Sequence, residues 1–404
     1  MALTWPDLAA DDPFGVHNLP LGSVDLGSAR WVGARIGDHV LNLSRAESDG
    51  LLDARGHFER GGLLDGFLAE GPALWRRVRE RLTELLTGAR HRPAVGRLLV
   101  PLDADGLRLD RPFTVGDYVD FYSSEHHAAN VGRIFRPDQA PLLPNWRHMP
   151  VGYHGRSGTV VVSGTEVPRP RGQRSPAGAD VPAFGPSTRL DVEAEVGFVV
   201  GRASEPGTPV SPDEFREYVF GVVLVNDWSA RDIQAWENRP LGPFLSKSFA
   251  TSVSPWIVPL DALESARGPA PPQDPPVLEY LHEADRYAYD IRLEVRWNGT
   301  VVSRPPFRHM YWTPAQQLAH LTVNGAWVNT GDLYASGTVS GPELGQTGSF
   351  LELTWGGTQP VTLGDGSTRT YLDDGDTVVI SASAPGPDGA IVGLGEVAGT
   401  VRAR

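Results

Sequence analysis

The chain has 404 residues, enough for one large domain with a smaller companion and a substantial buried core. Its 49 acidic against 36 basic residues leave a net charge of -13, which argues against sequence-independent binding to nucleic acid or an anionic membrane and favours a small-molecule or protein partner. The absence of cysteine excludes disulfides, thiolate nucleophiles and cysteine-ligated zinc or iron-sulfur sites.

In chain order, Met1 to Gly15 carries Asp7, Asp11 and Asp12 and has no basic patch leading into an apolar run, so it does not read as a signal peptide. No stretch is long and apolar enough to span a bilayer, and a soluble, cytoplasmic protein is expected. Ala29 to Ile36 and His39 to Leu43 read as short strands joined at a Gly-Asp turn. Pro72 to Leu86 reads as a helix, with Leu74, Val78, Leu82 and Leu85 at helical spacing and Gly88 as a stop. This region carries no cluster of catalytic residue types. Isolated strands and turns from Pro101 to Gly116 mark a boundary, which gives expected domains of residues 1–110 and 111–404.

The second region is strand-rich. Thr159 to Val162, Leu190 to Val200, Val219 to Val225, Tyr289 to Trp297 and Thr377 to Ala382 have β-branched or alternating character, and Asn298-Gly299 is a tight-hairpin signal. Pro168 to Pro186 and Gly268 to Pro276 read as ordered surface loops. Thr313-Pro314 opens a short helix through Leu321, with Thr as cap and Pro in the first turn. A mainly β fold with some helix, of sandwich or roll type, is expected.

Three segments carry chemistry. The first, Asp117 to His127, combines Asp120, the phenol of Tyr122 and the adjacent His126 and His127. A helix through Ser123 to Val131 turns the two histidines about 100° apart, which suits one as general base and the other for packing. The second alternates sharply: period-2 geometry puts Asp191, Glu193 and Glu195 on one strand face and Leu190, Val192, Ala194 and Val196 on the other. Such a face is either solvated or built to hold a cation between Glu193 and Glu195. The third is Trp228 to Glu237, read as a helix capped by Asp227, with Arg231 and Gln234 on one face and Asn238 continuing it. Lys247 follows directly. It is the only lysine beside 35 arginines, which marks a position where a compact ammonium serves and a wide guanidinium does not. Without cysteine or a His-Glu-x-x-His motif, an oxygen-rich site for Mg or Ca fits better than zinc.

Asp117-Tyr-Val-Asp-Phe-Tyr-Ser-Ser, Leu143-Pro-Asn-Trp, Pro150-Val-Gly-Tyr-His-Gly-Arg, Asn226-Asp-Trp-Ser-Ala-Arg-Asp-Ile-Gln, Pro240-Leu-Gly-Pro-Phe-Leu and Ala335-Ser-Gly-Thr-Val-Ser-Gly-Pro-Glu resemble, in the same order, segments of the fumarylacetoacetase family. The resemblance covers essentially all of the second region and is weaker before it. It implies a small N-terminal SH3-like barrel, a β-rich catalytic domain, a homodimer and Mg or Ca. By position it implies Asp120, Glu193, Glu195 and Asp227 as metal carboxylates, with Lys247 and Thr251 near the metal. His127 falls on the catalytic base and Glu352 on the carboxylate that orients it, while Arg231 and Lys247 supply charge to the reaction. Tyr122, Arg136, Tyr153, Gln234 and Thr338 match substrate contacts. Asn238 departs from the family, which usually has a tyrosine there. The implied activity is metal-dependent cleavage of the carbon-carbon bond of fumarylacetoacetate by water. The alternatives are an acylpyruvate hydrolase, hydratase or decarboxylase acting on another small keto acid, and a non-catalytic metal- or sugar-binding β-protein.

Overall fold

The computed structural model describes residues 8–9, 11–27, 29–175 and 181–403. Asp7 and its neighbours in the N-terminal reading, and residues 176–180 of the Pro168 to Pro186 stretch, lie outside the described residues.

Near the N-terminus, strands Leu21–Asp25, Arg30–Ile36, His39–Asn42 and Leu99–Pro101 pair antiparallel in chain order, and Arg108–Asp110 returns to pair with Leu21–Asp25. Gly37, with φ at 58°, makes the turn between the second and third strands. The helix Pro72–Thr87 starts with proline in its first turn and is capped by Gly88. It buries Leu74, Trp75, Val78, Leu82, Leu85 and Leu86 in one core with Val32, Ala34 and Leu41 of the strands. Among the described residues this unit does not close into a barrel. Instead Leu21 and Gly22 pair with Ile257 and Trp256, so its strands run directly into the main sheet.

From Trp256–Pro259 the main sheet continues through Val219–Asp227, Ala194–Val200, Leu333–Ala335, Tyr118–Phe121 and Gly152–His154. Its two central strands, Val219–Asp227 and Ala194–Val200, are buried along their whole length. A second sheet orders Thr300–Ser303, Arg292–Trp297, Thr377–Pro385, Ile391–Arg402 and Val167–Pro168. Val222 and Leu224 of the main sheet share one apolar core with Leu293, Val295, Ile380 and Leu394 of the second. The architecture is mixed α/β with dominant sheet, divided into an N-terminal and a larger C-terminal part.

Local signals place the parts that matter for the site. Trp297 pairs with Thr300 across a turn whose Asn298 and Gly299 take φ of 46° and 79°, the positive values a two-residue hairpin needs. The Trp297 ring lies flat on Phe350, centroids 4.1 Å apart and planes 6° from parallel, and so fixes the one-turn helix Phe350–Leu353. The helix Pro314–Thr322 has a capping box between Thr313 and Gln316.

Three readings are corrected. Leu190 to Val200 is not one alternating strand: the ladder breaks between Leu190–Asp191 and Ala194–Val200, and no face of Ala194–Val200 is solvated, because apolar cores cover both sides of the sheet there. Asp227 does not cap a helix. It ends the strand Val219–Asp227, and the helix Arg231–Glu237 begins after a further bridge at Ser229–Ala230. The proline-rich stretches are not purely loops, since Arg171–Arg174 pairs with Ala183–Pro186 and Arg267–Pro269 with Tyr287–Tyr289; proline is compatible with such short edge pairings.

The strand Tyr118–Phe121 is held in place by a close backbone approach. Gly337 has φ of 76°, and a Cβ there would stand 2.1 Å from the Phe121 carbonyl oxygen. Gly337→Ala is therefore expected to cost about 2–4 kcal/mol, combining left-handed strain with overpacking. Thermal melting should report the loss, and turnover should fall beyond it because the displaced strand carries Asp120 and leads to Tyr122.

Candidate active site

Four carboxylates from four places in the chain meet at one point. Asp120 comes from the strand Tyr118–Phe121, Glu193 from the break before Ala194–Val200, Glu195 from that strand, and Asp227 from the end of Val219–Asp227. All four are buried, and one oxygen from each lies within 4.8 Å of the others. Two cations serve two of them. Lys247 Nζ donates to Glu193 Oε2 and, at 2.6 Å, to Asp227 Oδ2, while Arg231 Nη2 donates to Glu193 Oε1 at 2.7 Å. The Thr251 hydroxyl donates to Asp227 Oδ1 at 3.0 Å.

The other two have no such help. Asp120 Oδ1 and both oxygens of Glu195 are buried without a hydrogen-bond partner. Burial, and then the neighbouring carboxylates, push Asp120 and Glu195 well above the usual carboxylate range. Burial also opposes ionisation of Glu193, but Lys247 and Arg231 outweigh it and hold Glu193 down to about 2. Orphaned, hard oxygen donors converging on one point are what a divalent cation satisfies, so the residues fit Mg or Ca.

Beside this cluster stands a second arrangement. The helix Glu125–Phe135, capped by Ser124, buries His127, whose Nδ1 donates to Glu352 Oε2 at 2.7 Å. Glu352 also accepts from Asn130 Nδ2 at 3.0 Å, Ser340 Oγ at 3.0 Å and Ser349 Oγ at 2.8 Å. Burial alone would raise the Glu352 pKa; His127 and these donors bring it below the ordinary value. His126 lies outside the pair, half-buried and edge-on to His309.

The remaining predicted residues surround these two groups. Tyr122 packs edge to face on His127, centroids 5.3 Å apart. Tyr153 is directly opposite Asp120 across the strand pair, with its buried hydroxyl near enough to that carboxylate to favour its ionised form. Gln234 accepts from Arg231 Nη1 at 3.0 Å, and Thr338 is buried in the segment after Leu333–Ala335. Arg136 ends the His127 helix, lies near enough to Tyr122 to bear on its ionisation, and donates to the Pro141 carbonyl at 3.2 Å. Asn238 is exposed at the C-terminus of Arg231–Glu237.

Four further residues had escaped the sequence reading. Asn130 follows His127 by three positions, one helical face, and Ser349-Phe-Leu-Glu352 has capping-box spacing, so both left a signal. Tyr118 shares the strand face of Asp120 by period 2, and its buried hydroxyl is unpartnered near the cluster. Ser340 left none.

A buried oxygen cluster able to coordinate a divalent cation stands next to a carboxylate-oriented histidine, an arrangement suited to an enzyme of hydrolytic type. Residues 17–109 match the family described as fumarylacetoacetase N-terminal, and residues 118–402 match fumarylacetoacetate (FAA) hydrolase C-terminal. The fumarylacetoacetases of Rattus norvegicus and Homo sapiens are each 44% identical over 413 residues, covering 99% of this chain and 98% of theirs. A solved fumarylacetoacetate hydrolase from Exiguobacterium antarcticum shares the fold at 18% identity, with a TM-score of 0.55 over 96% of this chain and all of that one. The chain belongs to the fumarylacetoacetase family and is an enzyme of hydrolytic type.

Because burial and the neighbouring carboxylates push Glu195 toward its neutral form when no cation is bound, replacing it by an amide separates cation binding from folding. Glu195→Gln is expected to melt no lower than wild type without cation, and to lose most of the rise in Tm that millimolar Mg2+ or Ca2+ produces in wild type. Calorimetric melting with and without chelator measures both.

Proposed function

We propose that the chain hydrolyses 4-fumarylacetoacetate to fumarate and acetoacetate, the last step of tyrosine and phenylalanine breakdown. The observation that carries this reading is the cluster of Asp120, Glu193, Glu195 and Asp227 beside the His127–Glu352 pair, in a chain matched along nearly its whole length by fumarylacetoacetases. Asp120, Glu193, Glu195 and Asp227 would hold Mg2+ or Ca2+, with Lys247 and Thr251 bracing Asp227. A cation bound there supplies Lewis-acid polarisation of the diketone oxygens.

The chain's own groups account for the proton and charge movements. His127 Nδ1 is committed to Glu352, which leaves Nε2 to take a proton from the attacking water. The water oxygen bonds to the carbonyl carbon next to the alkene, the bond from that carbon to the central methylene breaks, and its electron pair leaves as acetoacetate enolate. The proton held at Nε2 returns to the enolate carbon. Lys247 offsets negative charge on the reacting oxygens. Arg231 spends three of its five N–H groups on Asp191, Glu193 and Gln234, so its part is chiefly to hold Glu193 and Gln234 in place. Arg136, Tyr122, Tyr153, Gln234 and Thr338 are assigned to the substrate's carboxylate and carbonyl groups.

The same reading carries the finer architecture: an SH3-like barrel in residues 1–110 and a sandwich or roll in 111–404. The order Arg108–Asp110, Leu21–Asp25, Arg30–Ile36, His39–Asn42, Leu99–Pro101 supports the barrel, because only Leu102 to Leu107 join its two end strands. It carries a cytoplasmic homodimer as well. Phe184, Trp236, Phe244 and Leu245 are exposed apolar groups of the kind a second copy would cover. No helix among the described residues is long and apolar enough to cross a membrane. Exposed Asn238, in place of the family's usual tyrosine, favours a second reading, hydrolysis of an acylpyruvate.

Loss of diketone absorbance should be rapid with fumarylacetoacetate, slower with acylpyruvates, and abolished by chelator; faster acylpyruvate turnover would favour the second reading, and full turnover after metal removal would end both. His127→Ala should lower kcat roughly 10²–10⁴-fold. Lys247→Arg keeps the charge, yet its wider head has to fit between Glu193 and Asp227, so turnover should fall about 10–100-fold.

A further inference from the structure

Asp191 belongs to neither the four-carboxylate cluster nor the His127 pair, yet it touches the supports of both. It is fully buried, and each of its oxygens accepts two hydrogen bonds. Oδ1 takes the backbone N–H of Val192 at 2.8 Å and of Phe350 at 2.7 Å, and Oδ2 takes the N–H of Leu351 at 3.0 Å and Arg231 Nε at 2.8 Å. Phe350 and Leu351 open the turn that carries Glu352, and Arg231 continues through Nη2 to Glu193. The main chains already meet, through a bridge between Glu193 and Ser349 and the Ala194 N–H on the Gly348 carbonyl at 2.9 Å. That contact sets the spacing of the backbones; the Glu193 carboxylate itself is held by Lys247 at Oε2 and by Arg231 at Oε1, and Asp191 anchors the Arg231 end of that grip to the turn carrying Glu352.

We propose that Asp191 is a positioning residue that couples the cation cluster to the histidine-orienting carboxylate, so that Glu193 and Glu352 hold their relative geometry as one unit. A carboxylate is required because all four contacts are donors. An asparagine would turn its own N–H2 toward at least one of them and leave Glu193 as the one carboxylate bonded to Arg231 among the described residues. The inference rests on the functional reading above and adds to it the residue that links its two halves.

The test titrates Mg2+ alone and Ca2+ alone into cation-stripped wild type and Asp191→Asn, and follows both with fumarylacetoacetate kinetics. Glu47→Gln is the control, another carboxylate saturated by backbone N–H groups, those of Ala54, Gly56 and Phe58, in the N-terminal unit. Asp191→Asn should bind either cation about 10–100-fold more weakly and lose kcat more than it raises KM, as outer-sphere changes do. Adding Glu352→Gln to it should cost less than in wild type, the signature of two residues acting together. Glu47→Gln should lower Tm and leave cation affinity alone. If Asp191→Asn instead folds with wild-type cation affinity and strictly additive effects, the coupling is wrong. Should that variant not fold, hydrogen exchange in wild type decides: removing the cation should speed exchange at Phe350 to Leu353, and unchanged exchange there overturns the inference. A wild-type protein that neither binds cation nor turns over fumarylacetoacetate overturns the functional reading itself.

Discussion

A buried excess of negative charge is the constraint on which the rest of this structure depends. Asp120, Asp191, Glu193, Glu195 and Asp227 are taken from water together, and among the described residues Arg231 and Lys247 are the cations that pair with them. At an effective dielectric near 20, two unit charges about 4 Å apart interact by about 4 kcal/mol, so each direct pair with a cation outweighs one carboxylate neighbour but not several. Lys247 and Arg231 hold Glu193 ionised and bond directly to Asp227 and Asp191, whose burial still raises them above the ordinary value. Asp120 and Glu195 are left with orphaned oxygens and pushed toward keeping their protons, and a divalent ion is a partner that would satisfy them in the ionised form without shifting the backbone. The fold makes this possible by placing the acids on strands that cannot move independently. Ala194–Val200 is paired on both edges, and Val219–Asp227 is paired with Ala194–Val200 on one side and with Thr251–Val253 and Trp256–Pro259 on the other.

The two cations are not interchangeable within this frame. Arg231 works from the rim of the cluster, where a planar fork can reach Asp191, Glu193 and Gln234 at once. Lys247 works from inside, its single nitrogen shared between Glu193 and Asp227, next to the space where the acidic oxygens converge. A guanidinium reaching the same two oxygens would extend into that space. In a chain that uses arginine at every other basic position, the steric difference explains why lysine persists at 247.

Much of this was legible in the residues. The Asn298-Gly299 hairpin, the capped helix at Thr313 and the stripe of Leu74, Val78, Leu82 and Leu85 depend on local chemistry and came through as read. The two errors at the site share one cause. Alternation in Leu190 to Val200 and helical spacing after Asp227 are local patterns, whereas the break at Val192-Glu193 and the late helix start are set by partners distant in sequence, Ser349 and Phe350 for one, Arg189 and Ser246 for the other. Hence the acids meet in a geometry other than the one expected: Arg231 bonds to Asp191 and Glu193 across the fold and does not sit one helical turn after Asp227. Closure of the N-terminal strands was expected only by resemblance, and among the described residues the end strands Leu99–Pro101 and Arg108–Asp110 do not pair.

Burial acts alike on every carboxylate in this site, yet the outcomes oppose one another. Glu195, fully buried with no donor, is pushed toward keeping its proton, while Glu352, almost as deeply buried, is driven the other way by His127, Asn130 and Ser349. The distinction lies in who surrounds each group and not in how deep it lies. It also assigns work. A carboxylate that stays ionised without a metal can orient an imidazole through the whole cycle, whereas one that resists ionisation until a cation arrives is suited to be a ligand and little else. Glu193 shares both characters, held ionised by Lys247 and Arg231 while facing the point where the acidic oxygens converge, and Asp191, which accepts four N–H groups, links it to the turn that carries Glu352.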